Sequence, residues 1–203
     1  MEREEVIKII NAARATGAMP DLRRADLSGI DLTNINLSGV NLNEADLYRV
    51  NLSQVNLGQA SLIFANLIKA KLVEADMSQA NLVFANLRLA NLKGAKLIEA
   101  NLSAADLYEA ELIKARMSQA NLSEANLGNI NLEGAILIEA NFYEANLSDA
   151  NLREADLSGA DLRQANLNGA NLTKAIYDQE TKWDDGFNPA AAGATKKKKW
   201  LLF

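Results

Sequence analysis

Residues 150–172 read ANLREADLSGADLRQANLNGANL, and a leucine returns at every fifth position of this stretch. The same spacing runs through residues 22–172 without an insertion or deletion, which gives thirty-one consecutive large apolar positions. Leucine holds all of them except Met77, Met117 and Phe142. Two residues before each, apart from Pro20, lies a small or β-branched residue, usually alanine, and the residue between is usually Asn or Asp. The unit is therefore A-(N/D)-L-x-x. A repeat that continues over so many units determines the fold more strongly than local secondary-structure propensity does.

A five-residue period is incompatible with both regular secondary structures as long elements. Five residues rotate an α-helix by about 140°, so the leucines would be spread around the whole cylinder and no single face could be buried. Five is also odd, so successive leucines of an extended strand would alternate between the two faces of a sheet. The chain must therefore turn after each pentapeptide, and four short sides would close a coil of twenty residues around a common axis.

The polar position before each leucine gives an independent check on the length of the coil. With twenty residues per coil, this residue lies directly over the one twenty positions earlier, and stacked like charges would repel each other. Of the twenty-seven such pairs in the repeat, only Asp26 with Asp46 and Lys96 with Arg116 carry the same charge, while asparagine fills most positions. The sequence therefore favours four units per coil.

Runs such as Ala65-Asn66-Leu67 and Ala155-Asp156-Leu157 resemble the units of the pentapeptide repeat family, and the resemblance covers about three quarters of the chain. It implies an all-β solenoid, a right-handed quadrilateral parallel β-helix with each leucine and the preceding alanine inside and the other three positions outside. About 7.5 coils would span residues 20–175, and at roughly 4.8 Å per coil the rod would be about 36 Å long.

The two ends of such a rod carry unpaired backbone edges and are expected to be covered. Residues 1–19 predict an N-terminal α-helical cap and a linker, because Val6, Ile9, Ile10 and Ala13 follow helical spacing. Inward positions of the first coils carry β-branched residues in place of alanine, which predicts a wider core beside this helix. They are Ile30, Ile35, Val40, Val50 and Val55.

The C-terminal part departs from the repeat. Residues 176–189 resemble the terminal segment of cyanobacterial members of the family, and Tyr177, Trp183 and Phe187 are expected to cover the last coil. Residues 190–203 join small residues to four consecutive lysines and an apolar end, which predicts a disordered lysine-rich tail. Contact of this tail with a lipid surface or a partner is the alternative.

Cysteine and histidine are both absent from the sequence, which excludes disulfides, thiolate nucleophiles, imidazole bases and the usual zinc or iron ligands. We therefore expect neither enzymatic activity nor a bound metal or cofactor, since surface carboxylates on five-residue turns also lack a cleft. The net charge of −5 argues against direct nucleic-acid binding. The acidic start and the lack of a long apolar run predict a cytoplasmic protein without a membrane span.

The register also predicts which outward residues are neighbours. Six apolar residues would form one surface where serine, glutamine and glutamate are the norm, and we name this surface the phenylalanine patch. Its members are Ile63, Phe64, Ile68, Val83, Phe84 and Leu89. A contiguous apolar surface usually marks an interface, although stacking between coils can also hide part of such side chains.

A second departure is the pair Lys96 and Arg116, which replace the usual Asn or Asp in adjacent coils. They are candidates for a small anion site. Neutralisation by a neighbouring acid such as Asp76 is the alternative.

These features together predict a rigid scaffold for protein–protein interaction, with an unidentified protein partner or a second copy of the chain on the phenylalanine patch. The family resemblance implies two alternatives. Some members mimic duplex DNA and protect type II topoisomerases, but residues 21–175 carry nineteen acids and thirteen bases, a weaker charge than that of a duplex. A purely structural or stress-related role is the other alternative.

Overall fold

The structure of the protein, a computed structural model, describes residues 1–197. This part of the chain begins with an α-helix, α1 (Arg3–Ala15), and ends with two short strands, β1 (Ile176–Tyr177) and β2 (Thr195–Lys196), which pair in parallel. Between α1 and β1 the chain turns at every fifth residue, so single-residue parallel bridges join successive coils. The result is a solenoid with a pentapeptide period.

Each coil of the solenoid contains twenty residues. All twenty-seven polar pairs expected at this spacing form parallel bridges, from Asp21 with Asn41 to Asn151 with Asn171. From Leu22 to Leu162, the N–H at each large apolar position donates to a carbonyl of the next coil, as in the 2.7 Å bond from Leu67 N. The coil of four units is therefore confirmed, and stacking satisfies most backbone groups inside the rod.

The corners explain the remaining positions of the unit. The second residue after the leucine has a positive φ in all thirty-one units, and the N–H of the third donates to the leucine carbonyl, which is the pattern of a type II turn. The Asn before the leucine stabilises this turn, since Asn146 Oδ1 accepts the N–H of Ser148 at 3.2 Å. Its amide bonds the preceding coil, with 3.1 Å between Asn146 Nδ2 and Asn126 Oδ1. Asparagine thus serves the turn and the stack together.

The core is one continuous column of leucine and alanine. Thirty of the thirty-one large apolar residues are at most 2% exposed, and Phe142 is accommodated at a leucine position with no exposure. Leu167, close to the C-terminal end, is the exception and is half-buried. A leucine buried to this degree gains roughly 2 kcal/mol from its transfer out of water. Because neighbouring coils share these contacts, no coil has a core of its own.

Helix α1 lies over the N-terminal end of this core. Val6 and Ile10 are buried, and Ile7 packs against the core from the side. A shallow opening of about 260 Å³ between the helix and the first coils is lined in part by Ile7, Ile10 and Ile35. The predicted N-terminal helix is therefore confirmed.

Side chains of α1 also pair with the backbone edge of the first coil, whose carbonyls have no preceding coil to bond. Arg3 donates to the carbonyls of Asp31 and Thr33 at 2.5 and 2.7 Å, and Arg14 donates to the carbonyl of Ser38 at 3.1 Å. An edge occupied in this way is a poor template for end-to-end stacking.

The C-terminal end carries a cluster of aromatic side chains. Trp183 stacks on Phe187 with ring centroids 5.1 Å apart and meets Tyr177 edge-on at 5.9 Å. All three side chains are partly buried and pack against the core. The pairing is irregular here, because Asp161 bridges Lys182, one residue beyond the usual spacing.

The prediction of a disordered tail is wrong for residues 190–197. Ala194 is buried, the carbonyl of Gly193 accepts the N–H of Lys174 at 2.9 Å, and β2 pairs with β1. The small residues permit a close approach to the last coil, since a Cβ on Gly193 would lie 3.3 Å from the Cα of Thr173. Residues 198–203, and with them the alternative of lipid contact, lie outside the described residues.

Candidate protein-interaction surface

The phenylalanine patch is built on two consecutive coils. Phe64 and Phe84 occupy the same corner one coil apart, and a 3.1 Å bond from Phe64 N to Val83 O fixes their register. The two rings are parallel to within 6° with centroids 5.0 Å apart, so each ring covers one face of the other. The two residues still remain 59% and 52% exposed. Stacking therefore accounts for only part of their surface.

Four aliphatic side chains continue the patch on both sides of the phenylalanine corner. Ile63 and Val83 directly precede the two phenylalanines and are half-buried. Ile68 lies on the next side of the coil, and Leu89, 42% exposed, lies at the following corner. The register thus places the six residues on two adjacent coils, and their role in binding stays a prediction.

The patch differs from the rest of the described surface. Six large hydrophobic side chains are exposed within residues 1–197, and Phe64, Phe84 and Leu89 are three of them. The other three are scattered at Met1, Met19 and Ile136. A cluster of exposed apolar side chains is typical of an interaction site, whereas single ones are ordinary.

The local backbone gives no reason for a phenylalanine at this corner. Phe64 and Phe84 have φ values of 57° and 58°, in the left-handed region that favours glycine and asparagine over bulky side chains. The same turn position is held by Glu124 and Glu144 in later coils of the same corner. Stacking stabilises the aromatic pair by about 0.5–1.5 kcal/mol. A polar residue at this turn position would nevertheless leave the core intact.

Charged residues border the patch with opposite signs at its two ends. Along the corner that holds Leu89, Arg49 and Lys69 lie on the N-terminal side and Glu109 lies on the C-terminal side. The guanidinium of Arg49 lies 5.0 Å from the centroid of the Tyr48 ring. The apolar centre of the patch therefore lies between charges of opposite sign, and a partner with the complementary charges can pair with them.

The candidate anion site is partly neutralised. Lys96 Nζ lies 3.3 Å from Asp76 Oδ2, and this ion pair satisfies the lysine from its own protein. Burial raises the pKa of Asp76, but hydrogen bonds from Ser78 and the ammonium of Lys96 outweigh it and hold the pKa below its ordinary value. Arg116 is exposed one coil further on, beside Lys96. Binding of an anion by Lys96 and Arg116 stays a prediction.

One further opening on the described surface is shallow and polar. This opening of about 400 Å³ is lined by Asp21, Arg23, Arg24 and Glu44, which bond one another: Arg23 Nη2 lies 2.7 Å from Asp21 Oδ2, and Arg24 Nε lies 2.8 Å from Glu44 Oε2. Across residues 1–197, no three potential metal-ligating side chains come together. The part of the chain that the structure describes also has no helix long and apolar enough to cross a membrane.

Two surface features of the structure were not predicted from the sequence. Glutamine side chains form a ladder along another corner, with 3.0 Å from Gln59 to Gln79 and 2.9 Å from Gln79 to Glu99. Arg88 lies 4.5 Å from the centroid of Tyr108, next to Ile68 on the same side of the rod. Both features could have been found from the sequence, because the residues of each pair are twenty positions apart and therefore lie one above the other in adjacent coils.

A rod of stacked four-unit coils around one apolar column defines a solenoid repeat protein. The family model described as "Pentapeptide repeats" matches eight copies within residues 21–176. The chain therefore belongs to the pentapeptide repeat family. No curated protein sequence matches it.

Solved structures of pentapeptide repeat proteins are similar to this chain. HetL, involved in heterocyst differentiation regulation in the cyanobacterium Nostoc sp. strain PCC 7120, is 30% identical with a TM-score of 0.61, over 96% of this chain and 92% of HetL. Rfr23 from the cyanobacterium Cyanothece 51142 is 36% identical over 54% of this chain and 64% of its own, with a TM-score of 0.38.

A trypsin-treated variant of QnrB1, a plasmid-mediated fluoroquinolone resistance protein, is 19% identical over 86% of this chain and 92% of its own, with a TM-score of 0.51. At this identity the likeness concerns the fold alone.

Proposed function

We propose that the protein is a non-enzymatic scaffold that binds another protein through the phenylalanine patch. The observation that carries this proposal is the stacked pair Phe64 and Phe84, whose rings remain more than half exposed at a corner where the fold needs no aromatic residue. Exposed aromatic residues at the centre of an apolar patch commonly dominate the binding energy of an interface.

The proposed scaffold is a right-handed quadrilateral β-helix in which residues 20–175 form the rod and the two ends are caps. Backbone bonds between coils and a continuous core hold the corners in fixed positions. A preformed surface loses little conformational entropy on binding, which favours association. HetL, a structural neighbour, is involved in a regulatory process, and a binding role would fit such a process. The cytoplasm is the proposed location.

A DNA mimic that binds a type II topoisomerase is less well supported. Basic side chains on the rod pair with acidic ones, as in the 3.3 Å contacts of Lys96 with Asp76 and of Arg88 with Asp106. A mimic of the duplex needs a continuous negative surface. In a supercoiling assay with and without a topoisomerase inhibitor, we expect the protein to change nothing; protection of the enzyme would favour the mimic.

The proposal is tested by the double variant Phe64→Gln with Phe84→Gln. Glutamine is already present at this turn position in Gln54, Gln119 and Gln164, so the fold should be retained. The variant should lose association with the partner captured by the wild-type protein from its native host, with an unchanged circular dichroism spectrum. Phe64→Glu with Phe84→Glu should have the same effect.

A matched control removes another stacked pair at the same turn position. Gln59→Ala with Gln79→Ala lies on a different corner and should leave capture intact. Equal capture by the wild-type protein and the Phe64/Phe84 variants would exclude the patch as the binding surface.

A further inference from the structure

The charges beside the phenylalanine patch narrow the identity of its partner. Along the phenylalanine corner, Arg24 lies two coils before Phe64 and Glu124 lies two coils after Phe84, as the backbone bonds between coils define. The two charges are opposite, and their distances from the centre of the stacked pair are equal. The residues in between on this corner are Ala104 and Glu44, and Glu44 pairs with Arg24 of the same chain at 2.8 Å.

The next corner repeats this arrangement. Its column runs Arg49, Lys69, Leu89 and Glu109, so a basic and an acidic residue again lie at equal distances on opposite sides of the centre. Within residues 1–197 neither Arg49 nor Glu109 forms an ion pair, and both are exposed. Their charges are therefore available to a partner.

A surface of this kind is complementary to itself. A two-fold axis perpendicular to the rod, passing between the coils of Phe64 and Phe84, exchanges the basic end with the acidic end. Building on the function proposed above, we propose that a second copy of this chain binds the phenylalanine patch in antiparallel orientation about this axis. Two-fold pairing of one surface with itself is the commonest symmetry of soluble homo-oligomers.

In this dimer Phe64 of one copy meets Phe84 of the other, so that four rings form the centre of the interface. Arg49 meets Glu109 of the second copy at about 7 Å from the axis along the rod, and Arg24 meets Glu124 at about 12 Å, given roughly 4.8 Å per coil. Each ion pair occurs twice by symmetry. An aromatic centre with charged pairs at the rim is the usual anatomy of a specific interface.

The phenylalanine pair and Glu109 favour the antiparallel orientation. If the two rods were parallel and the same side were buried, Arg49 would face Glu44 of the second copy, but Phe64 would face Lys69 and Glu109 would face Ala104. The aromatic pairs would then be separated and one acid would lose its partner. The antiparallel arrangement also places Asp46 opposite Asp106, and the guanidinium of Arg88, 3.3 Å from Asp106, offsets this repulsion.

The test uses sedimentation equilibrium of the full chain over a range of concentrations. The wild-type protein should reach twice its chain mass of 22.0 kDa. Arg49→Glu and Glu109→Arg should each weaken the dimer about tenfold or more, because two attractions become two repulsions. A mixture of these two variants should form a heterodimer, in which residue 49 and residue 109 again have opposite charges at both contacts.

Failure of the dimer and failure of the proposed binding function would give different results. A chain that remains monomeric at all concentrations, or a mixture that fails to recover, would overturn the dimer. If the Phe64→Gln and Phe84→Gln variant then still lost a captured partner protein, the scaffold function would stand without self-association. A dimer unaffected by these phenylalanine substitutions would place the contact elsewhere and also overturn the proposal. Circular dichroism of each variant shows that the rod is folded.

Discussion

Truncation of one core leucine should destabilise the rod according to its position along the axis. Leu87 has no exposed surface in the middle of the solenoid, whereas Leu167 lies in the same column near the C-terminal end and is half-buried. Leu87→Ala should lower the free energy of unfolding by about 3 kcal/mol, because the core cannot close the cavity. Leu167→Ala should lower it by about 1 kcal/mol, since less surface is lost from the core.

Guanidinium and thermal unfolding, followed by circular dichroism, measure both variants against the wild-type protein. A loss of about 3 kcal/mol in a chain of this length corresponds to a fall in Tm of about 6–12 °C. Because the chemical change is identical, the comparison isolates the effect of burial. Equal losses for Leu87→Ala and Leu167→Ala would refute a core shared continuously between coils.

Three further outcomes are expected. Arg3→Ala should lower stability by about 1–2 kcal/mol in guanidinium unfolding, since the carbonyls of Asp31 and Thr33 lose a charged donor; no change would mean that water replaces it equally well. Hydrogen bonds from Arg163 lower the pKa of Asp161 to about 2, below its unfolded value, so this stabilisation should be present above about pH 4 and be lost as the pH falls towards 2. Asp161→Asn should flatten that part of the pH profile, and an unchanged profile would contradict this role. Asn146→Ala should cost about 1–3 kcal/mol through its lost turn and ladder bonds, and a neutral effect would show that they contribute little.

The sequence predicts the coil because every repeat unit imposes the same structural requirement. Every leucine must face the axis, and only a turn after each fifth residue achieves this, so the register of distant residues such as Phe64 and Phe84 follows by counting. The avoidance of stacked like charges, an electrostatic effect, independently predicts the same coil length. The bridges between residues twenty apart confirm that reasoning.

The ends of the chain were harder to predict because no repeat constrains them. The small residues around Gly193 are typical of a disordered segment, yet they allow the chain to approach the last coil closely. The register offers the ion pair of Lys96 with Asp76 as the alternative to an anion site, but only the conformation of the folded side chains shows that it forms. Likewise, the stacking of Phe64 on Phe84 follows from their register, but their exposure could only be measured in the folded chain.

Solvent protection of the two phenylalanines tests the interaction surface most directly. Hydroxyl-radical footprinting of the full chain should compare a purified sample, diluted until it is monomeric, with the protein in a native extract of its host. We expect labelling of Phe64, Phe84 and Leu89 to fall in the extract while labelling of the exposed Ile136 stays the same. Equal labelling of the phenylalanines in both samples would contradict the proposal that a protein covers this patch.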